Sequence, residues 1–159
     1  CLRLGLQKHK GVSMIVRLAL AAAVVAAVAT TVVAQSDPIA ARKAIMKTTG
    51  QQTAIGAKMI KGEEPFDLNK AKAIFAEYQD AAAKMPGLFP DSAKSGGEST
   101  ASPKIWESTA DFKARFAKLS DDAKAASASV KDLDSFKAAF GNVTKNCGGC
   151  HETYRIKKS

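Results

Sequence analysis

Cysteine and histidine are scarce in this chain, which holds three cysteines and two histidines in 159 residues. Cys1 and His9 lie in the first ten residues, and the others stand together near position 150. A structural zinc site usually needs four Cys or His ligands, and a disulfide scaffold needs several cysteine pairs. The shortage argues against both classes of protein, provided that the beginning of the chain is not part of the folded domain.

The chain also lacks the strict alternation of apolar and polar residues that is typical of half-buried strands. Its apolar residues recur instead at spacings of three and four, which is the period of an amphipathic helix. A thioredoxin-like redox protein needs strands that alternate with helices, so this absence argues against that class. The sequence indicates an all-α fold.

The cysteines and the histidine near position 150 form one pentapeptide, Cys147-Gly148-Gly149-Cys150-His151. C-x-x-C-H is the attachment sequence of c-type haem, in which each thiol adds to one vinyl group and the histidine ligates the iron. Residues three and four apart share one face of a helix, so the three functional side chains would point the same way. The alternatives for a lone Cys-x-x-Cys are half of a zinc site, a redox dithiol and a structural disulfide.

Residues 14–34 have the composition of a secretory signal peptide. Arg17 supplies the positive charge, a run rich in Ala, Val and Leu follows, and small residues form a cleavage site before Gln35. The alternative is a membrane anchor, although the run is only just long enough to span a bilayer. We expect residues 1–34 to be removed, with Met14 as the true start and the residues before it as an upstream extension.

Residues 35–159 then form one mature domain without stable membrane insertion. Haem is attached to C-x-x-C-H outside the bacterial cytoplasm, so motif and leader together predict a periplasmic protein. The leader takes four of the 24 basic residues and none of the 15 acidic ones, which leaves a net charge of +5. A basic electron carrier suggests redox partners with acidic docking surfaces, although a solvated lysine-rich exterior explains the same charge. Nucleic acid is not an expected partner in that compartment.

Capping residues predict four helices. An Asp or Ser followed by proline opens the first and third helices, and Gly or Pro ends the first and second. The predicted ranges are helix A from Pro38 to about Lys61, helix B from Asp67 to Pro86, helix C from Pro103 to near Ser129, and helix D from near Asp132 onwards. The long connection from 86 to 102 is rich in turn residues, and its apolar Leu88 and Phe89 should cover part of the core.

The apolar stripes of the last two helices locate the haem. The stripe of helix C is Ile105, Thr109, Phe112, Phe116, Leu119, Ala123, Ala126 and Val130, and that of helix D is Leu133, Phe136, Phe140, Val143, Cys147, Cys150 and Tyr154. The haem cysteines thus occupy core positions and aim the porphyrin into the bundle interior. The predicted fold is an all-α, antiparallel up-down-up-down four-helix bundle with covalently bound haem c.

This layout resembles the class II c-type cytochromes, the cytochrome c′ family. The matching features are Arg42 with Met46, residues 61–67 between helices A and B, residues 103–106 at the start of helix C, and Cys147–His151 followed by Tyr154-Arg155. The resemblance implies an exported four-helix bundle. High-spin members of the family have a non-ligating side chain, often leucine, where this chain has Met46. The resemblance therefore implies the low-spin branch, in which methionine is the sixth iron ligand.

Helix geometry also favours Met46 over the other two methionines of the mature domain. Helices A and D are antiparallel in such a bundle, so Met46 and His151 lie at nearly the same height, ~13 and ~12 Å along their helices. Met59 lies at the wrong end, and Met85 is expected about two turns off level. The alternative is that Met46 merely fills the core.

These residues predict a monohaem electron-transfer protein that is not an enzyme. Cys147 and Cys150 hold the haem, and His151 and Met46 ligate its iron. Arg42, on the same face as Met46, either binds a haem propionate or pairs on the surface with an acid such as Asp37. The alternative function is a high-spin, five-coordinate haem that binds NO or CO, and a third is a haem subunit serving one enzyme. A monomer and a homodimer are equally compatible with the sequence.

Overall fold

The computed structural model describes residues 37–157, which form five α-helices and two short 3₁₀ helices. The α-helices are α1 (Pro38–Lys61), α2 (Leu68–Lys84), α3 (Lys104–Glu107), α4 (Thr109–Ser129) and α5 (Leu133–Tyr154). The 3₁₀ helices, Met85–Leu88 and Asp91–Ala93, lie between α2 and α3. None of the helices in this part of the chain has the length and hydropathy needed to cross a membrane. The predicted signal peptide lies outside the described residues.

The bounds of α1 follow from its capping residues, as predicted. The Asp37 side chain accepts a hydrogen bond from the backbone N–H of Ile39 at 2.9 Å, and Pro38 takes the first helical position. At the other end Gly62 adopts a left-handed φ of 77°, and its N–H donates to the carbonyl of Met59. Glycine reaches this conformation without the steric cost that a Cβ imposes.

The turn between α4 and α5 falls where the sequence predicts it, although the chain has no Gly or Pro there. The Asp132 carboxylate accepts a hydrogen bond from the N–H of Ser135 at 2.8 Å, and the Ser135 hydroxyl accepts one from the N–H of Asp132 at 3.0 Å. This reciprocal capping box satisfies two donors that the start of a helix otherwise leaves unpaired. It fixes the beginning of the helix that carries the pentapeptide.

Predicted helix C is interrupted, which corrects the expectation of one continuous helix. Ser108 separates α3 from α4 with a φ of −129° and a ψ of 48°, outside the helical region. The Thr109 hydroxyl donates to the carbonyls of Ile105 at 3.1 Å and Trp106 at 3.3 Å. Such side-chain bonds compete with the backbone and bend helices. Thr109 is also exposed, so its place on the predicted apolar stripe is wrong.

The four long helices pack as the predicted antiparallel bundle. Helix α2 contacts α1 and α4, and α5 contacts α4 and α1. Because the links from α1 to α2 and from α4 to α5 are short, the helices that they join run antiparallel. The largest fully buried side chains are Tyr78, Phe75, Phe136, Met59, Ile74 and Val143. Full burial of a large apolar side chain contributes about 1.5–3 kcal/mol, so this core is the main source of stability.

The long connection between α2 and α3 returns to the end of α5. The N–H of Ser102 donates to the carbonyl of Tyr154 at 3.0 Å, and the N–H of Ile156 donates to the carbonyl of Thr100 at 2.8 Å. Phe89 packs edge-on against aromatic rings of α3 and α4, which confirms that this apolar residue covers the core. The connection is therefore a packed part of the bundle end where the pentapeptide lies.

Helices α1 and α5 are in close contact at Gly56. A Cβ placed on Gly56 would lie 2.9 Å from Cζ of Phe140 and closer still to its Cε2. Both residues are buried, and the Phe140 ring also packs against Phe136 at 5.3 Å between centroids. The absence of a side chain at Gly56 therefore allows the Phe140 ring to lie directly on the backbone of α1.

We expect Gly56→Ala to lower the free energy of unfolding by about 1–2 kcal/mol, because overpacking costs more than the gain of about 1 kcal/mol in helix propensity. Gly141→Ala is the matched control, since Gly141 is an exposed residue of α5 whose Cβ would meet nothing within 4 Å. That variant should be more stable by about 1 kcal/mol. Urea unfolding of the haem-loaded protein measures both, and equal stabilisation by the two substitutions would contradict the packing argument.

Candidate haem-attachment site

The three functional residues of the pentapeptide lie in the last two turns of α5. Cys147 and Cys150 are half-buried and unpaired, and Cys150 packs against the hydrophobic core. His151 follows within the same helix and is more exposed. The helical spacing brings the two thiols and the imidazole to one side of α5, as predicted. This arrangement suits two thioether bonds and one iron ligand directed toward the same ring.

The pKa shifts of the two thiols are the opposite of those that a redox dithiol needs. Burial raises the pKa of both thiols, and for Cys150 the positive charge of Arg115 partly opposes that rise. A reactive dithiol needs a lowered thiol pKa, so the environment is wrong for that chemistry. Within residues 37–157 no group of three or more His, Cys, Asp or Glu side chains is arranged to hold a metal ion, which also disfavours the zinc alternative.

The imidazole of His151 is held in the form that a ligand requires. Partial burial lowers its pKa, and the positive charge of Arg155, one turn later, acts in the same direction. A neutral imidazole offers a nitrogen lone pair to a metal, whereas an imidazolium does not. The surroundings of His151 therefore favour the metal-binding state at neutral pH.

Tyr78 of α2 is bonded to α1 and lies near enough to Cys147 for the two ionisable groups to interact. Its side chain is fully buried, and its hydroxyl lies 2.8 Å from the Thr53 hydroxyl of α1. Burial raises the pKa of Tyr78 to about 12; the Thr53 hydrogen bond opposes this shift, and Cys147 adds a smaller contribution in the same direction. Tyr78 thus remains protonated at neutral pH beside the first haem cysteine.

The contact between Gly56 and Phe140 gives the relative heights of Met46 and His151. Met46 lies ten residues before Gly56, and His151 lies eleven residues after Phe140. Because α1 and α5 are antiparallel, both lie toward the same end, at about 15 and 17 Å from the contact. Met46 is half-buried and packs against the core. The two residues are therefore level to within one helical turn.

The other two methionines among the described residues, Met59 and Met85, are both buried. Met59 lies on the other side of the Gly56 contact from Met46, as expected, and is only 1% exposed. The position of Met85 differs from its prediction. Thr53 of α1 is bonded to Tyr78 of α2. Met46 lies seven residues before Thr53 and Met85 lies seven residues after Tyr78, which on antiparallel helices is toward the same end. Met85 is therefore at the height of Met46 and not two turns away. Height alone does not separate these two methionines.

Arg42 is a buried cation with an incomplete set of partners. Its side chain is 5% exposed, its Nη2 donates to the carbonyl of Ala93 at 3.1 Å, and its Cζ lies 4.4 Å from the ring centroid of Phe89. Burial lowers its pKa, and the carboxylate of Asp37 partly opposes that shift. The predicted surface pairing is wrong, because Arg42 is not at the surface.

The Nη1 of Arg42 has no hydrogen-bond acceptor among the described residues. A buried N–H without an acceptor costs about 1–3 kcal/mol, and a guanidinium binds a carboxylate through two parallel hydrogen bonds. A haem propionate is a carboxylate of this kind. The residues at this end of the bundle therefore fit haem, with thiols, an imidazole, a thioether and an unsatisfied guanidinium grouped together.

Two side chains of α4 contact α5 on either side of Cys147 and were not anticipated from the sequence. The Asp122 carboxylate accepts a hydrogen bond from Asn146 at 2.7 Å, and the Arg115 guanidinium donates to the carbonyl of Gly149 at 2.9 Å. The spacing of Asp111 and Arg115 signals an ion pair within one helix. No local pattern reveals which residue on another helix the pair will meet.

The family model described as Cytochrome C' matches residues 37–155. The chain belongs to the cytochrome c′ family. The cytochrome c′ of Rhodopseudomonas palustris is 47% identical over 127 residues, covering 80% of this chain and 87% of that protein. A cytochrome c-556 of the same bacterium is 34% identical over 134 residues, covering 82% and 90%. The solved structure of the Rhodopseudomonas palustris cytochrome c′ gives a TM-score of 0.76 at 46% identity, covering 79% of this chain and 100% of that one.

Membership of this family confirms three predictions made from the sequence. The chain is a class II c-type cytochrome, its fold is a four-helix bundle, and its cofactor is covalently bound haem c. The two relatives carry different names, cytochrome c′ and cytochrome c-556. The coordination of the iron is therefore a question for the residues of this chain.

We expect the double variant Cys147→Ser, Cys150→Ser to lose covalent haem, because a serine hydroxyl does not add to a vinyl group as a thiol does. Intact mass of the exported protein should show the polypeptide plus one haem for the parent and the bare polypeptide for the variant. Haem should stay with the parent polypeptide during acid-acetone extraction. Haem retained by the double variant under these conditions would contradict the assignment.

Proposed function

We propose that this protein transfers electrons through one low-spin haem, with Cys147 and Cys150 as thioether partners and His151 and Met46 as axial iron ligands. The observation that carries the proposal is that Met46, which stands at the height of His151 on an antiparallel helix, is half-buried, whereas Met85 at the same height is only 4% exposed. Axial ligands bind opposite faces of one ring, so they must lie at nearly the same height in the bundle. The half-buried position of Met46 supports the same role.

Bound haem supplies an iron that changes between the ferrous and ferric states. A histidine and a methionine together complete the coordination of the iron and raise its reduction potential. A complete ligand set leaves no open position for a substrate or a gas. These properties favour outer-sphere electron transfer between proteins.

Arg42 is proposed to bind a haem propionate. Its Nη1 lacks an acceptor among the described residues, and the carbonyl of Ala93 and the ring of Phe89 hold the guanidinium in place. Arg42 precedes Met46 by four residues, so both lie on one face of α1. One helix would thus supply an iron ligand and the counter-charge for the edge of the same ring.

The location and partners of the protein follow from its leader and its charge. We propose that residues 1–34 direct export and are removed, and that residues 35–159 work in the bacterial periplasm. The net charge of +5 on that part of the chain favours redox partners with acidic surfaces. Complementary charge raises the rate of encounter more than it raises affinity, which suits a carrier that must also dissociate.

Gas binding is the second candidate function. The observation that favours it is the 47% identity with a relative named cytochrome c′, against 34% for the one named cytochrome c-556. In that case Met46 would fill the core without ligating the iron, and the open position would accept NO or CO. The spectrum of the oxidised protein distinguishes the two, since six-coordinate His/Met iron is low-spin and five-coordinate iron is high-spin.

We expect Met46→Leu to convert the oxidised haem from low-spin to high-spin and to open the reduced iron to CO. Leucine has nearly the same volume as methionine, so the core is preserved while the sulfur ligand is lost. Met85→Leu is the matched control, because Met85 lies at the same height but is only 4% exposed within the core, so its substitution should leave the spectrum unchanged. Visible absorption and CO titration measure both variants. A low-spin Met46→Leu with a high-spin Met85→Leu would move the assignment to Met85, and a high-spin parent would support gas binding.

We expect Arg42→Gln to lower the free energy of unfolding of the haem-loaded protein by about 1–3 kcal/mol, because the propionate loses a charged hydrogen-bond partner. Lys43→Gln is the control, since Lys43 is exposed and makes only a 3.8 Å ion pair with Glu98 and a 3.5 Å hydrogen bond to the carbonyl of Gly97. Its effect should stay within about 0.5 kcal/mol. Urea unfolding followed at the haem band gives both values, and equal losses would argue against a propionate contact.

A further inference from the structure

Arg115 and Asp111 form an ion pair directly beside the haem-attachment segment. The Nε of Arg115 donates to Oδ2 of Asp111 at 2.8 Å, and its Nη1 donates to the carbonyl of Gly149 at 2.9 Å. Gly149 is the residue between the two haem cysteines that immediately precedes Cys150. One guanidinium on α4 therefore holds a carboxylate of its own helix and the backbone of the pentapeptide.

Tyr154 binds the same carboxylate from the other helix. Its hydroxyl donates to Oδ2 of Asp111 at 2.5 Å, and the Arg115 guanidinium lies 5.3 Å from the centroid of its ring. The ring is 5% exposed and packs edge-on against Phe112. Gly149 and Tyr154 flank His151, so the pair on α4 contacts α5 before and after the iron ligand.

The two charges oppose each other at the point of haem attachment. The guanidinium of Arg115 lies 2.9 Å from the carbonyl oxygen of Gly149, the neighbour of Cys150, and the Asp111 carboxylate is bonded both to that guanidinium and to Tyr154 of the same helix as Cys150. A haem bonded to the sulfur of Cys150 would therefore experience both charges. Removal of either Arg115 or Asp111 would leave the charge of the other without its counter-charge close to the haem.

We propose that Arg115 and Asp111 are positioning residues that brace the haem-attachment segment and set the reduction potential through opposed charges. The inference rests on the proposed electron-transfer function, to which it adds the control of the potential. Reduction adds one electron to ferric iron and forms ferrous iron, with no bond made or broken in this step. A nearby cation favours the reduced form, and a nearby anion favours the oxidised form.

The proposal is tested by redox titration of the haem-loaded protein. Arg115→Gln leaves Asp111 unbalanced and should shift the ratio of reduced to oxidised haem at fixed potential about three- to tenfold toward the oxidised form. Asp111→Asn leaves Arg115 unbalanced and should shift it by a similar factor toward the reduced form. The double variant should return close to the parent value, because both charges are absent.

Two further variants separate the effect of charge from that of structure. Lys137→Gln removes an equal charge from an ion pair with Asp134 on the same helix as the haem, about 18 Å from Gly149 along its axis, and should leave the potential unchanged. Arg115→Lys keeps the charge but not the two-pronged contact. It should keep the potential near the parent value and increase hydrogen exchange at the amides of residues 153 and 154.

Opposite shifts in the two single variants, with recovery in the double variant, support the proposal. Shifts of the same sign, or none larger than that of Lys137→Gln, overturn it, since a purely structural role would not reverse with the sign of the lost charge. The Asp111→Asn and double variants keep the test decisive if Arg115→Gln does not take up haem. The parent spectrum reports separately on the Met46 ligation, so a high-spin parent would defeat the proposed function and leave the charge test intact.

Discussion

The contact between Gly56 and Phe140 is the constraint on which the haem end of this bundle depends. It is a point of close contact between α1 and α5, and it fixes how far one helix is displaced along the other. The position of each residue along α1, relative to residues of α5, is set by its distance from that contact. A displacement by one helical turn, about 5.4 Å, would separate a ligand on α1 from a ligand on α5 by more than a haem iron tolerates.

Local signals in the sequence predict the helices well, because helix ends depend on neighbouring residues. Asp37, Gly62 and the Asp132 capping box act within a few positions of themselves, and the observed boundaries agree with the predictions. The stripe of helix C fails at Thr109, where the hydroxyl bonds the preceding turn and interrupts the helix. Spacing alone does not distinguish a threonine that points inward from one that bonds its own backbone.

The parts of the site that the sequence does not reveal depend on contacts between distant residues. The burial of Arg42 comes from Phe89 and Ala93, which lie about fifty residues later in a connection without regular periodicity. The contact of Arg115 with Gly149 spans 34 residues and ends on a backbone carbonyl, which carries no side-chain signature. The height of Met85 differs from its prediction because it depends on the pairing of Tyr78 with Thr53 across two helices. The pentapeptide itself was recognisable because its chemistry lies within five consecutive residues.

The unequal lengths of the connections have a consequence for the order in which the bundle closes. At the end remote from the pentapeptide, six residues join α1 to α2 and three join α4 to α5, whereas the long connection lies at the pentapeptide end. Closing a short loop costs less chain entropy than joining distant segments, so local hairpins form early and distant contacts follow. We therefore expect the end that carries Cys147 and Cys150 to be enclosed late, so that the two thiols stay accessible for covalent attachment while the rest of the bundle is already assembling.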